Sequence, residues 1–220
     1  MLPWHIVDSV RTAEGELTLH QRGERDFRMT IDGRVLMVSQ ASRSEQELAR
    51  LGCPAARELE HPTVLIGGLG MGFTLRAALE QLPPTARVTM CEITQTVVDW
   101  CRGPLAELTG GAVNDPRVIV EIADVALVIR QSTGRFDAIL LDLYEGPNAG
   151  RRGANGEFYD AQAIARAHTA LRPGGIFAVW SEDPDAAFEK RLRASNTFQV
   201  ECRRIAGGGR HHVVYLARRS

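Results

Sequence analysis

Acids and glycines stand at the ends of short apolar runs along this chain. Gly68, Gly70 and Gly72 follow "VLIG", Glu92 ends "VTMCE", Asp124 closes "VEIAD", and Asp142 follows "FDAILL" with Tyr144 and Glu145 just beyond it. Glycines at alternate positions let a backbone turn tightly and approach a ligand closely, and a helix that starts there offers free N–H groups. Glu92, about 20 residues past the last of them, is placed to accept hydrogen bonds from ribose hydroxyls. That combination suits an adenosine-containing cofactor. Asp142 and Glu145 point to another kind of chemistry, in which carboxylates position an amine and accept its proton. Tyr144 between them offers a ring that walls a pocket and meets a cation through its face. Asp124 has two readings, a ligand for the same cofactor or the N-cap of the helix after it.

These positions need a scaffold that gathers strand ends. From residue 63 onward, Val- and Ile-rich runs alternate with helix-like segments, the pattern of a parallel sheet covered on both faces. Strands are expected at 63–68, 87–92, 117–122, 136–142, 175–181, 198–204 and 211–218, and helices at 72–82, 94–108, 124–132, 160–171 and 184–195. Ligands of such sheets gather outside the carboxyl ends of the strands, so Gly68 to Gly72, Glu92, Asp124 and Asp142 are expected to line one crevice. The segment "IAGGGR" (205–210) is too short for a crossover helix, so the last two strands must pair antiparallel. Before residue 60, polar and apolar residues alternate around Gly23 and around Asp32-Gly33, a hairpin signal, and a helix from about Ser44 to Leu51 leads into the main domain. The expected fold is α/β: a Rossmann-like, seven-stranded, mainly parallel sheet with an antiparallel last strand, plus a small N-terminal β-hairpin element. The expected division is 1–60 for that element and its linking helix, and 61–220 for a nucleoside-binding domain.

The 220 residues carry 26 Lys plus Arg against 27 Asp plus Glu, a net charge of −1. This gives no electrostatic case for nucleic acid or an anionic membrane as partner. Arg203, Arg204, Arg210, Arg218 and Arg219 near the end read as a solvated face. No apolar run approaches the roughly 18 residues of a membrane span, and the N-terminus lacks a signal-peptide core, so a cytoplasmic protein is expected. Cys53, Cys91, Cys101 and Cys202 are scattered, with no C-x-x-C or Cys/His ligand spacing, so reduced thiols and no metal are expected. The G-x-G-x-G pattern departs from the G-x-G-x-x-G of nicotinamide enzymes, and a parallel sheet closing on an antiparallel hairpin is the layout of S-adenosylmethionine-dependent transferases.

The pieces "DGRVLM", "VLIGGLGMGFTLR", "CEI", "NDPRVIVEIAD", "FDAILLDLYEGP", "EFY" (157–159) and "LRPGGIFAV" follow one another in a specific order and spacing. From about residue 30 to 180 the chain thereby resembles the polyamine aminopropyltransferases, meaning spermidine synthase and its relatives, which share the class I S-adenosylmethionine-dependent methyltransferase fold. The resemblance implies that Gly68, Gly70, Gly72, Glu92, Ile93, Asp124 and Asp142 bind the cofactor, with Glu92 on the ribose and Asp124 on the adenine amino group. It implies that Asp142 is the catalytic acid that orients or deprotonates an attacking amine, with Glu145 as the second acid and Tyr144 beside them. It also implies a homodimer.

The departures carry information too. The family's glycine loop has an Asp where this chain has Met71, and that Asp grips the amino group of the transferred aminopropyl arm; a thioether cannot replace it. The family's Tyr-His-Glu gate run corresponds to Glu45-Gln46-Glu47. Arg151 and Arg152 in "NAGRRGAN" either suit an acidic substrate or are solvated, and Tyr159 reads as packing. These departures favour methyl transfer from S-adenosylmethionine to a small amine-bearing or polar substrate. The alternative is aminopropyl transfer from decarboxylated S-adenosylmethionine to a diamine, and a further one is a nucleoside-binding module without catalysis.

Overall fold

The computed structural model describes residues 2–144, 146–147, 158–207 and 210–220. Its N-terminal part is an antiparallel sheet of β1 (His5–Thr12), β2 (Gly15–Arg22), β3 (Asp26–Ile31) and β4 (Arg34–Val38), in that order. The chain reverses at Gly23 and at Asp32-Gly33, as the pattern indicates. Asp32 (φ 45°) and Gly33 (φ 78°) both take the left-handed conformation that a tight hairpin needs. Asp32 also accepts the Glu16 N–H at 2.9 Å, which stitches the turn to β2. The strand β1 went unread because it is largely exposed and so shows no apolar face.

The main sheet contains β5 (Thr63–Gly67), β6 (Arg87–Glu92), β7 (Val118–Ile122), β8 (Phe136–Leu141), β9 (Leu171–Ser181), β10 (Phe198–Gly207) and β11 (Arg210–Arg219), ordered β10-β11-β9-β8-β5-β6-β7. The neighbours from β9 to β7 pair in parallel, and β11 lies antiparallel to both β9 and β10. The antiparallel last strand is therefore internal, and β10 takes the edge. The chain leaves β5 toward β6 and β7, then returns to the other side of β5 with β8. Adjacent crossovers on opposite sides leave a crevice at the carboxyl ends of β5 and β8, where such sheets bind ligands.

The helices are α1 (Arg43–Gly52), α2 (Pro54–Arg57), α3 (Phe73–Leu79), α4 (Gln95–Arg102), α5 (Ala106–Thr109), α6 (Val125–Arg130), α7 (Ala161–Ala170) and α8 (Ala186–Ala194). The single helix expected over 94–108 is broken by Gly103-Pro104, where proline lacks the N–H and its ring obstructs the preceding turn. Residues of β5 alternate between two cores. Val64 and Ile66 pack with Leu48, Leu75 and Val88 and with Leu17, Leu19 and Met29 of the N-terminal sheet, while Leu65 packs with Val125, Ile139 and Phe177. A Trp100 Nε1 to Asp8 bond of 2.8 Å also pins β1 to α4.

Two polar clamps set the strand starts. Asp137, buried in an otherwise apolar strand, accepts the Thr63 N–H at 2.8 Å and Arg172 Nη1 at 2.6 Å, joining the starts of β5, β8 and β9. Arg117 pairs with both oxygens of Asp115 and donates to the carbonyls of Leu79 and Leu82, closing the end of α3. No helix among the described residues is long and apolar enough to cross a membrane.

Candidate active site

After β5 the chain passes through Gly68 (φ 88°), Gly70 (φ 51°) and Gly72 (φ 84°) before entering α3. Gly68 is constrained twice, by its left-handed backbone and by space, because a Cβ there would lie 2.2 Å from the carbonyl oxygen of Asp142. The closeness is structural: Gly68 N–H donates to the Cys91 carbonyl at 2.9 Å, and Asp142 N–H to the Gly67 carbonyl at 2.8 Å. Three strand ends are thus drawn to one point. Gly72 sits at the helix start with Thr109 behind it and does not line the cavity.

Glu92 holds this turn from the next strand. Its carboxylate accepts Leu69 N–H at 3.0 Å and Thr94 N–H at 2.9 Å, one on each oxygen. Burial raises its proton affinity above the usual carboxylate range, and those backbone donors oppose the rise. Each oxygen keeps a lone pair for a further donor. Asp124 turns out to do the capping job, accepting Ala126 N–H at 2.8 Å through Oδ1, and its side chain still faces the cavity with Oδ2 left over.

Asp142 lies just past β8. Thr74 Oγ1, from α3, donates to its Oδ2 at 2.6 Å. Burial first, then the negative charge of Glu45, pushes the Asp142 carboxyl up to about 7, with the Thr74 bond opposing. Glu45 itself is raised by burial, against the hydrogen bond it accepts from Ser44 Oγ at 2.6 Å. Tyr159 is fully buried with its ring edge-on to Phe188 at 5.5 Å, and its hydroxyl has no hydrogen-bond partner among the described residues.

One cavity of about 410 Å³ connects these groups. It is lined by Gly68, Gly70, Glu92, Ile93, Asp124, Asp142 and Tyr144, so seven positions singled out in the sequence meet there; Ile93, 72% exposed, forms part of the rim. Glu145, Arg151, Arg152 and Glu157 lie outside the described residues. Tyr144 walls the cavity, and the Arg34 guanidinium lies 4.8 Å from its ring centroid, so the protein's own cation uses one face of this ring. Met71 is fully buried within the core and does not line the cavity, so the position that carries an Asp in the family offers a ligand no acceptor here.

Sequence reasoning missed the wall opposite. Thr12, Glu14, Leu17, Met29, Ile31, Leu36 and Met37 of the N-terminal sheet cover the cavity, with Glu45 of α1 and Trp180 of β9 completing it. These contacts are remote in sequence; of the acids in this wall only Glu45 is marked in the sequence, as part of the segment that corresponds to the family's gate run.

Residues 47–206 match the spermine/spermidine synthase domain. The chain belongs to that family. The polyamine aminopropyltransferase of Mycobacterium tuberculosis is 27% identical over 183 residues, covering 81% of this chain and 33% of that protein. Polyamine aminopropyltransferase 2 of Pseudomonas aeruginosa is 31% identical over 174 residues, 73% of this chain and 49% of that one. This spermine/spermidine synthase domain chain thus spans between a third and a half of the length of these curated relatives. Its fold is that of the spermidine synthase from Thermotoga maritima, with a TM-score of 0.77 over 98% of this chain and 73% of the other at 20% identity.

Proposed function

We propose that the chain transfers an aminopropyl group from decarboxylated S-adenosylmethionine to a small amine. The observation that carries this is Asp142, an acid held near neutral proton affinity in the same cavity as Glu92 and Asp124. The relatives named above are polyamine aminopropyltransferases, which supports the same reading.

The cavity fits the donor. Its volume of about 410 Å³ lies within the 300–1,000 Å³ range of small-molecule sites. Glu92 keeps lone pairs for ribose hydroxyls, Asp124 keeps Oδ2 for an adenine amino group, and the positive φ of Gly68 and Gly70 leaves the backbone open to close approach. When bound, the donor supplies a carbon on a sulfonium, an electrophile whose leaving group is a neutral thioether. The chain then has to hold the amine in line, exclude water and take up a proton. Asp142 is the group for the last task, and Thr74 holds its Oδ2, which leaves Oδ1 to take the proton of the amine.

The case for methyl transfer rests on Met71 and on the altered gate. Met71 faces the core, so position 71 supplies no acidic acceptor for an aminopropyl arm, and the choice of donor falls to the gate. At the gate, Glu45 turns into the cavity and joins Asp142, so two acids stand at that end. Two acids repel the carboxylate of intact S-adenosylmethionine and accept the decarboxylated form, a difference in electrostatic fit that sets donor choice. Calorimetric titration of both nucleosides tests this. Tighter binding of the decarboxylated form is expected, and tighter binding of S-adenosylmethionine would contradict the proposal.

A further inference from the structure

The cavity holds an acid to which the transfer step above gives no part in moving the proton. Glu45 lies in the first turn of α1, is 8% exposed and lines the same cavity as Asp142. Its place is fixed from two sides. Ser44 Oγ donates to Glu45 Oε2 at 2.6 Å, and the Glu45 carbonyl lies 3.1 Å from Thr74 Oγ1, the hydroxyl that donates to Asp142. Thr74 therefore spaces α1 from the end of β8 and holds the two acids in one enclosure. The other groups that act on them are His212 of β11, which faces Glu45, and the Tyr159 phenol near Asp142. Neither Lys nor Arg of the described residues is among the groups acting on either carboxylate.

Two carboxylates in one buried site, with no fixed cation between them, do not both ionise freely. We propose that Glu45 and Asp142 act as one carboxylate pair that receives the proton of the acceptor ammonium. This rests on the amine-transfer reading above. The balance is simple. One N–H proton passes from the ammonium to the pair, and the freed lone pair forms the new C–N bond. The C–S bond breaks with its electrons going to sulfur, and the product nitrogen leaves as a secondary ammonium while the pair returns its proton to solvent. A lone carboxylate near 4 is about 6 pH units below an alkyl ammonium near 10, whereas like-charge coupling moves the pair toward the ammonium and makes it a better-matched base. Glu45 acts in this through Asp142, and it keeps the enclosure anionic for a cationic substrate.

Carboxyl-carbon NMR of ¹³C-labelled protein, titrated without added ligand, tests the pair apart from any turnover. In the wild type, the Glu45 and Asp142 resonances are expected to move in two steps at shared midpoints. In Glu45→Gln, Asp142 is expected to titrate in one step at least about one pH unit lower, and Glu45→Asp keeps most of the elevation. Two independent one-step curves in the wild type overturn the proposal whether or not the variant folds, and so does an unmoved Asp142 midpoint in Glu45→Gln. Where transfer is measured, the acid limb of kcat/KM moves down with that midpoint in Glu45→Gln, and an acid limb that stays in place also overturns it. Wild type that shows the coupled titration and transfers nothing would refute the transfer reading instead.

Discussion

Asp142→Asn removes a charge from the cavity and leaves an oxygen able to accept the Thr74 hydroxyl. In the unfolded chain this carboxyl titrates near 3.8, and in the fold it is raised to about 7. Because the folded value is the higher one, the fold resists the charged form, and folding takes up a proton between the two values. Below 3.8 both states are protonated and the side chain costs nothing extra; the cost grows as pH rises and is complete above about 7. The interval of about three pH units, at about 1.4 kcal/mol each, caps it at about 4 kcal/mol. Solvent in the cavity and the sharing of charge with Glu45 reduce this, so Asp142→Asn should gain about 2 kcal/mol at pH 8. Urea denaturation of both proteins at pH 4 and pH 8 measures it. The expected pattern is a variant more stable by no more than about 0.6 kcal/mol at pH 4, a clearly larger gain at pH 8, and transfer lost at both. Equal stability at pH 8, or the same gain at both pH values, would refute the argument that burial and Glu45 load this carboxyl.

Other substitutions probe the frame around it. Glu92→Ala leaves the Leu69 and Thr94 N–H groups without acceptors, and should cost about 2 kcal/mol in denaturant melts and weaken nucleoside binding by tenfold or more in calorimetry, about 1.4 kcal/mol. Gly68→Ala puts a methyl against the Asp142 carbonyl at a left-handed backbone position, so a loss of about 3 kcal/mol or a failure to fold is expected, and wild-type melting would be evidence against the turn as described. Asp185 caps α8 by accepting the N–H groups of Ala187 and Phe188, and Asp185→Ala should lower stability by about 1–2 kcal/mol with transfer kinetics unchanged.

The main sheet was legible because its strands are buried on both faces and read as continuous apolar runs separated by helix-length segments, as "FDAILL" shows. The strand-end acids were legible for a related reason: a carboxylate directly after such a run has to stand in a crevice. What the chain did not disclose was anything set by contacts remote in sequence. Met71 sits in the glycine loop, and only packing shows that its side chain turns into the core. Glu45 is one of several acids in an amphipathic helix, and its burial depends on how α1 lies across α3 and β9. The wall made by Leu17, Met29 and Leu36 follows from docking of the N-terminal sheet, which alternation within each strand does not specify.

The central claim is that this cavity moves an aminopropyl group. Purified protein incubated separately with decarboxylated S-adenosylmethionine and with S-adenosylmethionine, each with a panel of mono-, di- and triamines, tests it directly by mass spectrometry of the amines. The account predicts amines heavier by one aminopropyl group with the decarboxylated donor only, and none in Asp142→Asn. Methylated amines formed from S-adenosylmethionine, with no aminopropyl product, would contradict it.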